Sequence, residues 1–194
     1  MKLYYAPGAC SLADHIALHE AGLSFEHEKV DLKAKRTESG ADFTTINPKG
    51  YVPALALDDG TMLTENVAML DWIASQGGSL VPAGAMGRTQ LLEMLAYIST
   101  EIHKSFKPFF RGGTAEEKAQ AGEVIGKRMA FLSDRMTGDY LLGDAFSVAD
   151  AYLFVMLLWA GKFEIAVPEG LAPFRERMMV RDAVQTAMAH EGLR

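Results

Sequence analysis

The single cysteine of the chain, Cys10, follows a Pro7-Gly8 turn and opens an apolar-periodic stretch, "CSLADHIALHEAG". A thiol at the first turn of a helix faces unpaired backbone amides, whose partial positive charge favours thiolate. Glycine in the preceding turn lets the backbone approach a ligand closely. Two readings of Cys10 stand at this point: a reactive thiol, or the small buried hydrophobe that a free cysteine often is. A dithiol oxidoreductase carries a second cysteine three residues on, where this chain has Ala13. Any redox cycle at Cys10 therefore borrows an external thiol. Pro53, in "NPKGYVPAL", opens a strand-like run; lacking an N–H for the ladder, it marks an edge, a turn or a cis bond. Thr64, Glu65 and Asn66 precede a second helical stretch, so free amides and polar side chains gather where a carboxylate could bind. Each feature alone is more commonly structural. Brought to one edge of a sheet, they would suit a small thiol-bearing peptide with a free carboxylate.

The elements that must position these residues read as follows. "KLYY" is a short strand stopped by Pro7-Gly8, and Leu12, Ala13, Ile16, Ala17 and Ala21 have helical spacing before Gly22. "SFEHEKVDL" alternates as a second strand, and "RTESGADFTTINPKG" is polar and turn-rich, with room for a short helix before Pro48. "VPALAL" and "TMLT" flank the Asp59-Gly60 hairpin signal, and "ENVAMLDWIASQG" is an amphipathic helix closed by Gly77. The order β-α-β-(α)-β-β-α is that of a thioredoxin-like domain. Glycines and a proline with little periodicity then mark a linker over residues 78–87. Beyond it the signals are helical. "RTQLLEMLAYISTEIHKSFKPFF" reads as one long helix, Thr114 and Glu117 have capping-box spacing, and "SVADAYLFVMLLWAG" is apolar all round, as in a buried helix. Two shorter helices fill "EGLAPFRERMM" and "VRDAVQTAMAHEG". The expectation is an α/β plus all-α protein: a thioredoxin-like domain over residues 1–77 and an all-helical domain over 88–194.

The 194 residues carry a net charge of −6, which supplies no basic stripe for nucleic acid or an anionic membrane. No stretch is long and apolar enough to span a bilayer, and the start of the chain does not read as a signal peptide. One cysteine permits no internal disulfide, so a cytoplasmic location is expected.

The stretches "YYAPGACSLADHIAL", "NPKGYVPALALDDGTMLTE", "TEIHKSFKPFF" and "SVADAYLFVMLLWA" resemble signatures of the glutathione S-transferase family, in particular its bacterial beta class, in the expected order and over essentially the whole chain. The resemblance implies a detoxifying transferase that attacks small hydrophobic electrophiles with glutathione as co-substrate, without a prosthetic group. It also implies a homodimer. Carried over by residue, Cys10 would lie beside the glutathione sulfur and could form a mixed disulfide with it. Lys35 would reach the glycine carboxylate, and Val52, next to cis Pro53, would pair with the cysteinyl backbone. Glu65 and Asn66 would hold the γ-glutamyl end. His103 and Lys104 would lie near the thiol, where an imidazole donates a hydrogen bond to thiolate or steers its proton. Two positions depart from the family pattern: Asn66, often serine or glycine there, and Ala96, often an asparagine. The resemblance leaves room for a glutathione-dependent thiol transferase, isomerase or dehalogenase, and for a non-catalytic glutathione-binding protein.

Other residues read as structural. His15 and His19 are spaced to share a metal, but no cysteine or acidic cluster accompanies them, so solvated helix surface and no metal site are expected. Ser147 and Asp150 have capping-box spacing, and Phe109 and Trp159 fit a core or pocket wall. Tyr4 and Tyr5 stand where other classes of the family hold the thiolate with a tyrosine, but at least one is expected to pack in the sheet. Gly122 and Gly126 suggest close helix packing.

Overall fold

Strand β1 (Lys2–Tyr5) alternates in burial, with Leu3 and Tyr5 turned inward, as its period-two pattern dictates. In the computed structural model, which describes residues 1–193, β1 is the centre of a five-stranded sheet ordered β3 (Arg36–Thr37), β2 (Glu26–Asp31), β1, β4 (Ala54–Ala56), β5 (Met62–Thr64). It pairs parallel with β2 and antiparallel with β4, which continues through a tight turn into β5. The parallel pairing needs a crossover, and α1 (Ser11–Glu20) supplies it. Every residue of α1 from Ser11 to Leu18 is buried. The helix is covered by α3 (Asn66–Gln76), by α9 (Asp182–His190) and by β1, which is more than an amphipathic surface helix would bury. Ala6, Val30, Phe43, Val52 and Ala54 form a second apolar cluster, with Tyr4 packed against it.

Two short elements of this sheet domain lie in the polar stretch. Strand β3 (Arg36–Thr37) pairs antiparallel with the end of β2, and the Glu28 carboxylate accepts from the Ser39 amide and hydroxyl. One helical turn, α2 (Phe43–Ile46), starts at Asp42, whose carboxylate accepts from the Thr44 amide (2.9 Å).

The chain divides into two compact units, residues from Met1 to Leu80 together with the segment from Arg181 onward, and Val81 to Val180. The expected division gave everything after residue 87 to the helical domain. The difference lies in α9, whose apolar residues Val184, Ala187 and Met188 are buried and which packs on α1. Arg181 grips the end of α1 with a two-pronged contact to Glu20, Nε to Oε1 at 2.6 Å and Nη2 to Oε2 at 2.7 Å. This cover also corrects the reading of His15 and His19 as solvated surface: His15 is fully buried and His19 partly so.

In the second unit the expected long helix is broken. Regular α4 (Gly87–Tyr97) passes into a π-helical stretch, Ile98–Ile102, then a 3-10 turn, His103–Phe106, and the short α5 (Lys107–Phe110). Helix α6 (Ala115–Ser133) begins with the expected box, the Thr114 hydroxyl accepting from the Glu117 amide and the Glu117 carboxylate from the Thr114 amide. Helix α7 (Val148–Lys162) is the centre of this unit, with twelve of its fifteen residues buried. Its Tyr152, Leu153 and Phe154 are almost completely enclosed, each contributing about 1.5–3 kcal/mol of apolar burial. Asp150 fixes the start of α7 by accepting from the Ser147 amide and hydroxyl (both 2.8 Å) and the Leu141 amide (2.9 Å). A 3-10 turn (Glu169–Leu171) and α8 (Ala172–Met179) complete the unit. Among the described residues no helix is long and apolar enough to cross a membrane.

Candidate active site

Cys10 caps the N-terminus of α1 after a turn in which Gly8 takes φ +67°, a left-handed conformation suited to glycine. The Ser11 hydroxyl accepts from the Ala6 amide (3.2 Å) and closes the turn. The Cys10 thiol donates to the Val52 carbonyl at 3.7 Å, and the Val52-Pro53 peptide bond is cis. Asn66, at the start of α3, donates from Nδ2 to the Cys10 carbonyl (3.0 Å), so the two helix starts are tied together. Glu65, which precedes α3, has φ +72°, a conformation that a non-glycine residue holds only where its surroundings impose it. Its carboxylate accepts from the Lys49 ammonium and the Tyr51 hydroxyl, both at 2.6 Å. Lys35 donates to the Gly50 carbonyl at 2.6 Å.

The segment from Asn47 to Pro53 is therefore the common wall. It meets Lys35 at Gly50, Glu65 at Lys49 and Tyr51, and Cys10 at Val52. Asn47 braces the wall by donating to the Tyr51 carbonyl (2.7 Å). The sheet unit thus brings together Cys10, Lys35, Val52, Pro53, Glu65 and Asn66. Sequence reasoning missed Lys49 and Tyr51; Lys49 also contacts Thr64 (2.9 Å), which the sequence had placed with Glu65 and Asn66 at the helix start. The one signal for Lys49 was its place in "NPKGYVPAL", a few residues ahead of Pro53.

The charge state of Cys10 differs from the helix-end expectation. Burial pushes the thiol up to about 12, and the nearby Asp14 carboxyl adds to the rise; the Cys10 and Ser11 amides pull the other way and lose. Cys10 is thus a neutral S–H donor near neutral pH. Tyr5 is buried, with its hydroxyl on the His190 carbonyl (3.3 Å), and Tyr4 packs against the Phe43 ring.

In the helical unit, His103 follows directly on the π-helical stretch, a distortion that re-aims the side chains after it. Its Nδ1 pairs with the Tyr152 hydroxyl at 2.6 Å, and its ring meets Trp159 edge-on at 5.0 Å. Burial, helped by the Lys104 charge, pushes His103 down to about 4, so the imidazole is neutral at pH 7 and keeps Nε2 for another partner. Lys104 is exposed.

Family models describe both parts of the chain: "Glutathione S-transferase, N-terminal domain" matches residues 9–76, and "Glutathione S-transferase, C-terminal domain" matches residues 92–182. The glutathione S-transferase GstA of Escherichia coli O157:H7 is 44% identical over 201 residues, with all of both chains covered. A sphingomonad glutathione S-transferase complexed with glutathione matches with a TM-score of 0.92 at 44% identity, over 100% of both chains. A bacterial beta class glutathione S-transferase of Sphingomonas chungbukensis gives the same TM-score at 41% identity and the same coverage.

Proposed function

Because the chain belongs to the glutathione S-transferase family, we propose that it joins the thiolate of glutathione to electrophilic small molecules, with the tripeptide held on the sheet unit. The observation that carries this reading is the arrangement around residues 47–53. A thiol-bearing peptide laid along Val52 would meet the Cys10 S–H at one point, the Lys35 cation at another, and Glu65 with the α3 amides at a third. Each group matches one part of glutathione: Lys35 its glycine carboxylate, the Val52 backbone its central peptide, Glu65 its ammonium, and Asn66 with the α3 start its γ-glutamyl carboxylate.

A neutral Cys10 acts as a hydrogen-bond donor to the glutathione sulfur. Donation to the charged form favours thiolate and lowers the bound thiol's pKa. The same neutrality slows Cys10 as a nucleophile, because thiol–disulfide exchange runs through thiolate. Conjugation is therefore the main activity and mixed-disulfide chemistry the minor one. His103, braced by Tyr152 within the helical unit, and Lys104 enter this reading through the family resemblance alone. A small hydrophobic electrophile, a homodimeric assembly and a cytoplasmic location complete the proposal.

The test is steady-state conjugation of glutathione to a chloronitrobenzene, with calorimetry for glutathione binding. Saturable binding with turnover is expected. Binding without turnover on a broad electrophile panel would leave a carrier in place of an enzyme. Cys10→Ala separates the two thiol roles: conjugation reduced but retained and disulfide exchange abolished is the expected pattern.

A further inference from the structure

Four of the five histidines of the chain gather at one place on the sheet unit. His15 and His19 come from α1, His27 from β2 and His190 from the last turn of α9. The His27 and His190 rings stack at 4.5 Å between centroids, and His15 lies 5.2 Å and 5.4 Å from them. One ring nitrogen from each of these three lies within 4.8 Å of the other two. His15 Nε2 and His190 Nδ1 are 3.3 Å apart. Two ligands of a tetrahedral zinc, each about 2.05 Å from the metal, are about 3.3 Å apart.

The other nitrogen of His15 meets a carboxyl group. His15 Nδ1 is 3.0 Å from Glu191 Oε1, and Glu191 Oε2 accepts from the Gly8 amide at 2.8 Å. A carboxylate behind one imidazole nitrogen is the arrangement that orients a metal-binding histidine and leaves Nε2 for the ion. His27 and His190 are exposed, which gives the ion a route in, whereas His15 is buried and held by Glu191.

We propose that His15, His27 and His190 form a binding site for one divalent late-transition-metal ion, zinc being the reference case, with Glu191 as the positioning residue behind His15. Imidazole is a ligand type that zinc, copper and nickel favour over magnesium or calcium. Coordination at His15 places its one proton on Nδ1, directed to the Glu191 carboxylate; any proton displaced from Nε2 or from Glu191 passes to solvent. His190 is far in sequence from His15 and His27, so the ion joins α9 to α1 and β2.

The test uses full-length, untagged protein, freed of metal by chelation. Zinc is titrated in competition with a chromophoric chelator, and cobalt serves as its visible spectroscopic stand-in. The proposal expects one ion per chain, a tetrahedral cobalt spectrum, and a rise in melting temperature with zinc. His27→Gln and His190→Gln change exposed residues, and circular dichroism confirms their folding. Each is expected to weaken zinc binding by about tenfold or more and to abolish the thermal shift. His19→Gln, outside the ligand set, is expected to keep both. Absence of binding at micromolar zinc, or variants at His27 and His190 that bind as tightly as the parent, would overturn the site and leave a stack of imidazole rings.

Discussion

Alkylation of Cys10 tests the balance between a helix end, which favours thiolate, and burial, which opposes it. The structure moves the thiol from an ordinary value of 9.0 to about 12. Each unit is a factor of ten in the ratio of thiolate to thiol, so near pH 7.5 the folded protein holds about a thousandfold less thiolate than the unfolded chain. With a single cysteine in the chain, iodoacetamide incorporation followed by mass spectrometry reads one site without ambiguity. Folded protein is expected to react on the order of a thousandfold more slowly than the same protein in concentrated urea. Its rate should still climb about tenfold per pH unit through pH 10. The slope separates ionisation from access, since a shielded thiolate would react slowly but with a rate that levels off at its low pKa. A rate that reaches a plateau below pH 8 would refute the reasoning and restore Cys10 as a standing nucleophile.

Asn66→Ala removes the bond that ties α3 to the Cys10 carbonyl and leaves that carbonyl without this donor. A loss of about 1–2 kcal/mol in urea unfolding is expected, with KM for glutathione raised more than kcat is lowered. Asp150→Ala deprives the Ser147 amide, the Ser147 hydroxyl and the buried Leu141 amide of their acceptor. At about 1–3 kcal/mol for each stranded donor, it should cost at least about 3 kcal/mol and leave the chain unfolded or poorly expressed. His103 is held neutral in the fold down to about pH 4, whereas in the unfolded chain it takes up a proton near 6.5. The unfolded state thus binds more protons in that window, and stability falls as pH is lowered from 6.5 toward 4. A shift of about 2.5 units corresponds to up to about 3 kcal/mol, so His103→Gln should flatten the acid limb of the urea midpoint plotted against pH.

What the sequence made legible follows from where the physics is local. Strand β1, helices α1 and α3 and the β4–β5 hairpin rest on period and turn chemistry within a dozen residues, and their boundaries match the expectation closely. Strand β3 spans two polar residues and has no pattern of its own; only pairing with β2 defines it. The π-helical break before His103 changes hydrogen-bond register without interrupting the apolar spacing, so a continuous helix was the natural reading. Cys10, Pro53, Glu65 and Asn66 could be singled out because a turn, a proline and helix starts mark them, whereas Lys35 entered through the family resemblance alone and Lys49 and Tyr51 were not singled out. Cys10 and His15 misled for one reason. A helix start favours thiolate at Cys10 and helical spacing suggested a solvated His15, whereas burial governs both. For His15 the burying segment is the end of the chain, through α9 and Glu191.

The central claim is that this protein ionises the thiol of bound glutathione while its own cysteine remains protonated. Ultraviolet difference spectroscopy reads it directly, since thiolate absorbs where thiol does not. Saturating glutathione at neutral pH is expected to produce a thiolate band on the wild-type protein, with an apparent pKa below that of free glutathione. In Cys10→Ala the band should persist with its pKa shifted upward, because a donor has been lost and the absorbing thiolate belongs to the ligand. A band present without glutathione and absent from Cys10→Ala would place the thiolate on the protein and contradict the account.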